Sequence, residues 1–327
     1  MINPFELTVS FEEKALQIFE YQKKNNPVYH RFCEALAVLE VSSVEEIPLL
    51  PIQAFKDAIV LTEHQTSNIQ HPMLKFKSSG TSGVQRSKHL IADPEIYQKS
   101  IIEGMRYFYD FDEYVVLAYT PGYADNPNSS LVWMLNLLID IESSGLSRFL
   151  ELGEPIAQRI IDEIRLAGKK VLLFGAAFGL LDLIEMGTPN IPADSIILET
   201  GGMKTHRREI SKEQLHQELA EGFRISKLQI HSEYGMTELL SQAYSRGSLW
   251  YDLVPWMKVT IRNPENPMEI APFGKEGLIG VIDLANLHSC AFILTGDKGI
   301  QIENGQFQVI GRWNPVNLRG CNFLIDE

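Results

Sequence analysis

Three apolar runs, each ending in turn-forming residues, restrict this chain to few architectures. Tyr114-Val115-Val116-Leu117-Ala118-Tyr119 stops at Thr120-Pro121-Gly122, Lys170-Val171-Leu172-Leu173-Phe174 stops at Gly175, and Ile196-Ile197-Leu198-Glu199-Thr200 stops at Gly201-Gly202. Short, nearly continuous apolar runs suit strands buried on both faces, as in a parallel sheet covered by helices. The segments between them read as those helices. Leu131 to Ile141 is apolar on nearly every side, Pro155 to Ala167 is amphipathic, and Ser211 caps a helix through Glu221. Strands alternating with helices predict βαβ units, hence an α/β fold with a mostly parallel sheet flanked by helices. Ligands of open sheets bind beyond the carboxyl ends of the strands. The glycines fall at those ends.

The flanks read differently. Residues 11–40 have helical spacing in two pieces, the second from Tyr29 to Leu39, with Asn25-Asn26-Pro27 as the break. Ile59-Val60-Leu61 has the makings of a short strand, and Asp93-Pro94 opens a helix through Tyr109. After residue 250, Val254, Val259, Ile261, Ile279, Val281, Ile293, Ile302 and Val309 sit in short runs split by Gly, Pro and Asn, the texture of antiparallel β structure. The expected organisation is an α/β core over 1–250 with a β-rich subdomain of the same large domain over 251–327.

Composition removes several function classes. A net charge of −13 argues against a nucleic-acid partner, which needs a basic face. With 3 cysteines (Cys33, Cys290, Cys321), a disulfide framework is excluded and a reducing compartment expected. The apolar runs fall short of a membrane span, and Met1 to Glu12 lacks the basic and apolar regions of a signal peptide, so a cytoplasmic location is expected.

The loop Ser78-Ser79-Gly80-Thr81-Ser82-Gly83 combines glycines, hydroxyls and nearby cations (Lys77, Arg86, Lys88). Such a loop can turn its N–H groups into an anion-binding concavity, with hydroxyls and cations completing a phosphate site. Three more motifs follow in order. Tyr234-Gly235-Met236-Thr237-Glu238 offers an aromatic face, a tight turn, a hydroxyl and a carboxylate. Thr295-Gly296-Asp297 places a carboxylate on a turn, and Gly311-Arg312 adds a cation. His231 either orients Tyr234 or is a satisfied core histidine, and His206 lies nearby in sequence. Metalloenzyme zinc spacing, a Walker lysine motif and a Gly-x-Ser-x-Gly elbow are not found in the sequence.

Taken together from about Phe55 to Gly320, these motifs resemble the core of the adenylate-forming enzymes, the superfamily of acyl-CoA synthetases and their relatives. The resemblance implies the fold of that family's N-terminal domain, with ATP and Mg²⁺ as cofactors and a carboxylic acid as substrate. It assigns Ser78, Ser79, Gly80, Thr81, Ser82 and Gly83 to the β,γ-phosphates of ATP. Tyr234 with Gly235 would stack on adenine, and Gly201 and Gly202 would form the edge against it. Thr237 would contact the α-phosphate, Glu238 would hold Mg²⁺, and Asp297 and Arg312 would reach the ribose. Arg86, Lys88 and Lys204 remain open as the phosphate cation. The loop departs from the family by continuing Val84-Gln85-Arg86-Ser87-Lys88, where Pro-Lys is usual.

The sequence also stops soon after Gly311-Arg312, where acyl-CoA synthetases continue with a mobile, lysine-bearing domain; that domain is expected to be absent. Within the superfamily, Ser-Ser-Gly-Thr-Ser-Gly, Asp283-Leu284-Ala285-Asn286 followed by Thr295-Gly296-Asp297, and Leu318-Arg319-Gly320-Cys321 are similar to the acyl-protein synthetases of the LuxE type. That branch implies acyl-adenylate formation, then transfer of a fatty acyl group to a cysteine, here Cys321, and onward to a reductase partner. It implies an AMP-forming acid–thiol ligase. Arg319 would favour the thiolate. Two other readings stay open: a shortened acyl- or aryl-CoA ligase working with a separate C-terminal domain, and a non-catalytic nucleotide-binding scaffold subunit.

Overall fold

The computed structural model describes residues 2–62, 73–78, 86–120, 126–201 and 210–313. The chain forms two compact units, one of Met1–Lys75, Gly80–Pro94 and Leu253–Glu327, the other of Phe76–Ser79 and Glu95–Asp252. The first unit opens with α1 (Phe11–Asn25) and α2 (Pro27–Ala35). Asn26 separates them by accepting from the Val28 and Tyr29 N–H groups while Pro27 fills the first helical position. α2 is shorter than its sequence suggests. Ala37 turns left-handed at φ 55° and the Val38 N–H returns to the Cys33 carbonyl, which leaves Leu39 exposed. Next come β1 (Leu50–Pro51) and α3 (Ala54–Asp57). Ile59-Val60-Leu61 is not a strand: Ile59 points to solvent, and the Thr62 N–H bonds the His288 carbonyl instead of extending a ladder. β2 (Leu74–Lys77) and β3 (Lys88–Ile91) flank the Ser/Gly-rich loop.

The second unit carries the alternation read from the sequence. After α4 (Pro94–Phe108) come β4 (Tyr114–Tyr119), α5 (Ser130–Ile141), β5 (Arg148–Phe149), α6 (Gln158–Leu166) and β6 (Lys170–Ala176). Then follow α7 (Ala177–Met186), β7 (Ile196–Thr200), α8 (Lys212–Phe223), β8 (Ile230–Tyr234), β9 (Ala243–Arg246) and β10 (Tyr251–Asp252). The spatial order is β5-β4-β6-β7-β8-β9-β10. The strands from β5 to β8 are parallel, and β9 and β10 are antiparallel additions. Alternate strand residues Val115, Leu117, Val171, Leu173, Ile197 and Ile230 pack against Ile161 and Ile164 of α6, Leu180 and Leu183 of α7, and Leu215, Leu219 and Phe223 of α8. Each such side chain contributes roughly 1.5–3 kcal/mol by leaving water. The opposite face is covered by α4, whose Phe108 packs on Tyr244 of β9. The α/β expectation holds.

The β-rich part returns to the first unit as β11 (Met257–Arg262), β12 (Gly277–Asp283), β13 (Phe292–Gln301) and β14 (Phe307–Arg312), an antiparallel meander. β1 pairs with β13 in parallel, Phe292 stacks on Tyr29 at 5.6 Å, and the buried Gln22 and Asn26 amides donate to the Asn286, Leu287 and Ser289 carbonyls. These long-range bonds group the N-terminal helices with the β-rich segment. The last break between the units falls after Asp252.

Candidate active site

In the second unit the carboxyl ends of β7 and β8 lie side by side. The parallel register pairs Glu199 with Ser232 and Thr200 with Glu233, so Gly201 and Tyr234 leave adjacent strand ends. Gly201 has φ 87°, a conformation that favours glycine. Gly235 leaves room for its neighbours: a Cβ there would sit 2.2 Å from Glu233 Oε1 and 3.3 Å from Gln242 Cγ. The chain then makes a turn in which the Leu239 N–H bonds the Met236 carbonyl, with half-buried Thr237 and buried Glu238 between them. Tyr234, Gly235, Thr237, Glu238 and Gly201 are therefore brought together at the end of the sheet where ligands bind.

Polar side chains fill both faces beneath these strand ends. On one face Lys212, at the start of α8, forms an ion pair with buried Glu199 Oε1, and His216 Nε2 lies 3.7 Å from the same oxygen. His216 Nε2 also makes a 2.9 Å hydrogen bond with Ser232 Oγ. Burial pushes the Glu199 carboxyl up, but the Lys212 charge, with hydrogen bonds from His216, Lys212 and Ser232, holds it below its usual value. The Tyr234 ring meets Tyr251 edge-on at 6.0 Å, and the Tyr251 hydroxyl reaches Ser232 and Lys212, so the Tyr234 ring is backed by this network. On the other face Glu233 Oε2 accepts from the Thr200 hydroxyl. Burial dominates there and pushes the Glu233 carboxyl up to about 7.

Glu199, Glu233, Thr200 and Lys212 were not singled out by sequence reasoning. The available signal was a charged residue inside an otherwise apolar run, at the end where a ligand would lie. His231 proves to be a core histidine. It stacks on Tyr109, its Nδ1 lies 3.2 Å from the Tyr109 hydroxyl and its Nε2 3.2 Å from the Leu228 carbonyl, and burial pushes it down to about 4.

The loop's first residue, Ser78, follows β2, whose Phe76 contacts Tyr97 and Trp133; those two rings stack at 4.9 Å. The Lys77 N–H bonds the Asn128 carbonyl. Ser79, Gly80, Thr81, Ser82, Gly83, Gly202, Lys204, His206 and Cys321 lie outside the described residues. In the first unit, β13 and β14 bring Asp297 and Arg312 together as register partners, with Arg312 Nε 2.9 Å from Asp297 Oδ1. Asp297 is buried, its N–H bonds Thr295 Oγ1, and that hydroxyl donates to the Ile279 carbonyl. Cys33 and Cys290 are buried and free, and burial raises both thiols, Cys33 to about 11. Neither suits a nucleophile.

Among the described residues no cluster of three or more His, Cys, Asp or Glu side chains could hold a metal. No described helix is long and apolar enough to cross a membrane.

The chain matches the family model of the acyl-protein synthetases, LuxE, over residues 158–327, just over half its length. It is 25% identical over 333 residues to the long-chain-fatty-acid–luciferin-component ligase of Vibrio harveyi, covering 94% of this chain and 85% of that protein. Among solved structures, 2-hydroxyisobutyryl-CoA ligase in complex with 2-HIB-AMP and CoA is similar with a TM-score of 0.62 and 15% identity, over 92% of this chain and 67% of that one. The luciferase-like enzyme of the Zophobas morio mealworm gives a TM-score of 0.54 at 17% identity, over 76% of this chain and 59% of that one. This chain thus spans less than two thirds of the mealworm enzyme. The two structures share its fold, and the family match goes further: the chain belongs to the LuxE family of acyl-protein synthetases.

Proposed function

We propose that this protein is a cytoplasmic acid–thiol ligase that activates a carboxylic acid, a long-chain fatty acid in the leading reading, with ATP and Mg²⁺ and passes the acyl group to a protein cysteine. The observation that carries the reading is the end of β8, where Tyr234, Gly235, Thr237 and Glu238 leave the sheet beside Gly201. Tyr234 is assigned to adenine stacking, with Tyr251 fixing its plane. The Gly201-Gly202 edge is assigned to the other side of the base. Thr237 is assigned to an α-phosphate oxygen and Glu238 to Mg²⁺. Ser78 to Gly83 would take the β,γ-phosphates, and Asp297 and Arg312 the ribose hydroxyls.

The chemistry follows from these roles. A carboxylate oxygen of the acid bonds to the α-phosphorus as the bridging oxygen leaves with pyrophosphate. Charge builds on in-line oxygens, so catalysis needs positioned donors and a cation in a fixed site rather than a strong base. Mg²⁺, when bound, would supply charge neutralisation on the phosphates. Transfer then requires a thiolate that attacks the acyl carbon and releases AMP. Cys321 is the assigned acceptor, and a reductase is the proposed onward partner.

The test is acid-dependent ATP–pyrophosphate exchange across fatty, aryl and amino acids. Exchange with a fatty acid, lost on Tyr234→Ala and on Glu238→Gln while ATP binding by Glu238→Gln persists without Mg²⁺, is the expected result. Absence of exchange with every acid refutes the reading.

A further inference from the structure

Glu233 has no role in the reaction as assigned above, yet it sits directly beneath its machinery. It is 7% exposed and immediately precedes Tyr234. Its Oε2 accepts from the hydroxyl of Thr200, which immediately precedes Gly201. Its Oε1 occupies the space a side chain at 235 would enter, 2.2 Å from that residue's ideal Cβ. One side-chain hydrogen bond therefore joins the residue before the glycine edge to the residue before the aromatic platform, and the same carboxyl lies against Gly235 where the turn begins.

We propose that the Thr200–Glu233 pair is a positioning clamp that holds the Gly201 and Tyr234 strand ends at the separation a nucleotide base requires, so that Glu233 tunes ATP affinity without touching ATP. The inference rests on the adenylation reading of these strand ends. A covalently continuous strand fixes Tyr234 along β8, but the ladder of backbone hydrogen bonds between β7 and β8 ends where the two chains diverge toward Gly201 and Gly235. A buried side-chain bond at that point adds the constraint the ladder no longer provides.

The clamp is sensitive to charge. The titratable groups whose charges act on Glu233 are Tyr109 after α4 and Tyr244 of β9, and, from across the sheet, Glu199 of β7, Lys212 of α8 and Tyr251 of β10. Glu199 is already ionised and paired with Lys212. Ionising Glu233 would place a second negative charge beneath a turn assigned to the α-phosphate. Burial keeps its carboxyl protonated up to about pH 7, so ATP affinity should fall as pH rises through neutrality.

The experiment measures ATP binding by calorimetry and the ATP KM and kcat of pyrophosphate exchange from pH 5.5 to 9, for wild type, Glu233→Gln, Glu233→Ala, Thr200→Val and the Thr200→Val/Glu233→Ala double variant. Circular dichroism and melting curves check that each is folded. Glu233→Gln keeps the shape and the acceptor, so it should match wild type at pH 6 and lack its rise in ATP KM above pH 7. Thr200→Val and Glu233→Ala should each raise ATP KM about tenfold, the scale of one hydrogen bond, with kcat changed less, and the double variant should add nothing further. A Glu233→Gln profile that superimposes on wild type, or additive effects in the double variant, overturns the clamp alone while ATP binding by wild type still stands. Failure of wild type to bind ATP overturns both the clamp and the nucleotide site.

Discussion

Replacing Lys212 by methionine isolates what holds Glu199 charged beneath the strand ends. The Glu199 side chain is 0% exposed, its Oε1 is shared by Lys212 and His216, and its Oε2 has no hydrogen-bond partner among the described residues. Removing one partner of a buried ion pair costs about 3–5 kcal/mol, because the remaining charge is left in a poor solvent. The Lys212 side chain is 27% exposed, so water can partly replace it, and the lower end, about 3 kcal/mol, is the expected loss. At roughly 2–4 °C per kcal/mol for a unit of this size, the midpoint should fall by about 6–12 °C.

The pH dependence fixes the cause. In wild type the Glu199 carboxyl lies below its ordinary value, so the pair's contribution is present above that value and fades as pH falls through the folded one. Without Lys212 only the His216 and Ser232 hydrogen bonds oppose burial, which drives the carboxyl upward, so the variant takes up a proton at a higher pH than wild type. Its deficit should be largest at pH 8 and shrink at pH 5. Guanidinium unfolding of wild type, Lys212→Met, Glu199→Gln and the double variant at both pH values measures this. The double variant should recover most of the loss. A deficit below about 1 kcal/mol at pH 8, or one equal at both pH values, refutes the argument.

Other perturbations test other parts of the structure. Gly235→Ala should destabilise by about 1–3 kcal/mol and weaken ATP binding, because its Cβ meets Glu233 Oε1; adding Glu233→Ala should restore stability but not ATP affinity, as differential scanning fluorimetry and calorimetry would show. His231, pushed down to about 4 by burial, contributes stability that is whole above its ordinary value of 6.5 and lost as pH falls from there toward 4; the loss between pH 7 and 5 should disappear in His231→Gln, compared by urea unfolding. Cys33 and Cys290 should resist iodoacetamide at pH 7.5 in the native protein and react only after denaturation, read by peptide mass mapping.

What could be read in advance follows from the range of the forces involved. β4, β6 and β7 are buried over nearly their whole length, so their apolar runs are the sequence's most legible elements. α8 was legible from Ser211, whose hydroxyl accepts from the Gln214 N–H. α7 was not, because Phe174 to Ile184 is nearly unbroken apolar sequence and the helix starts without a side-chain cap. Nothing polar marks the point where the strand turns into a helix. The grouping of α1 and α2 with the β-rich segment was also hidden, since it depends on bonds such as Gln22 to Asn286, 264 residues apart.

At the site, Tyr234, Gly235, Thr237 and Glu238 were visible because they are contiguous. The Thr200–Glu233 and Glu199–Lys212 contacts depend on the parallel register of β7 with β8 and on the seating of α8, which a linear sequence does not display.

The most direct measurement of the central claim is the intact mass of the purified protein after incubation with ATP, Mg²⁺ and a long-chain fatty acid, beside Cys321→Ser treated identically. The account predicts one added acyl mass on the wild-type protein, removed by hydroxylamine and absent from Cys321→Ser, with pyrophosphate exchange intact in both. An acyl mass that persists in Cys321→Ser, or acid-dependent exchange with no acyl mass on the wild-type protein, would contradict it.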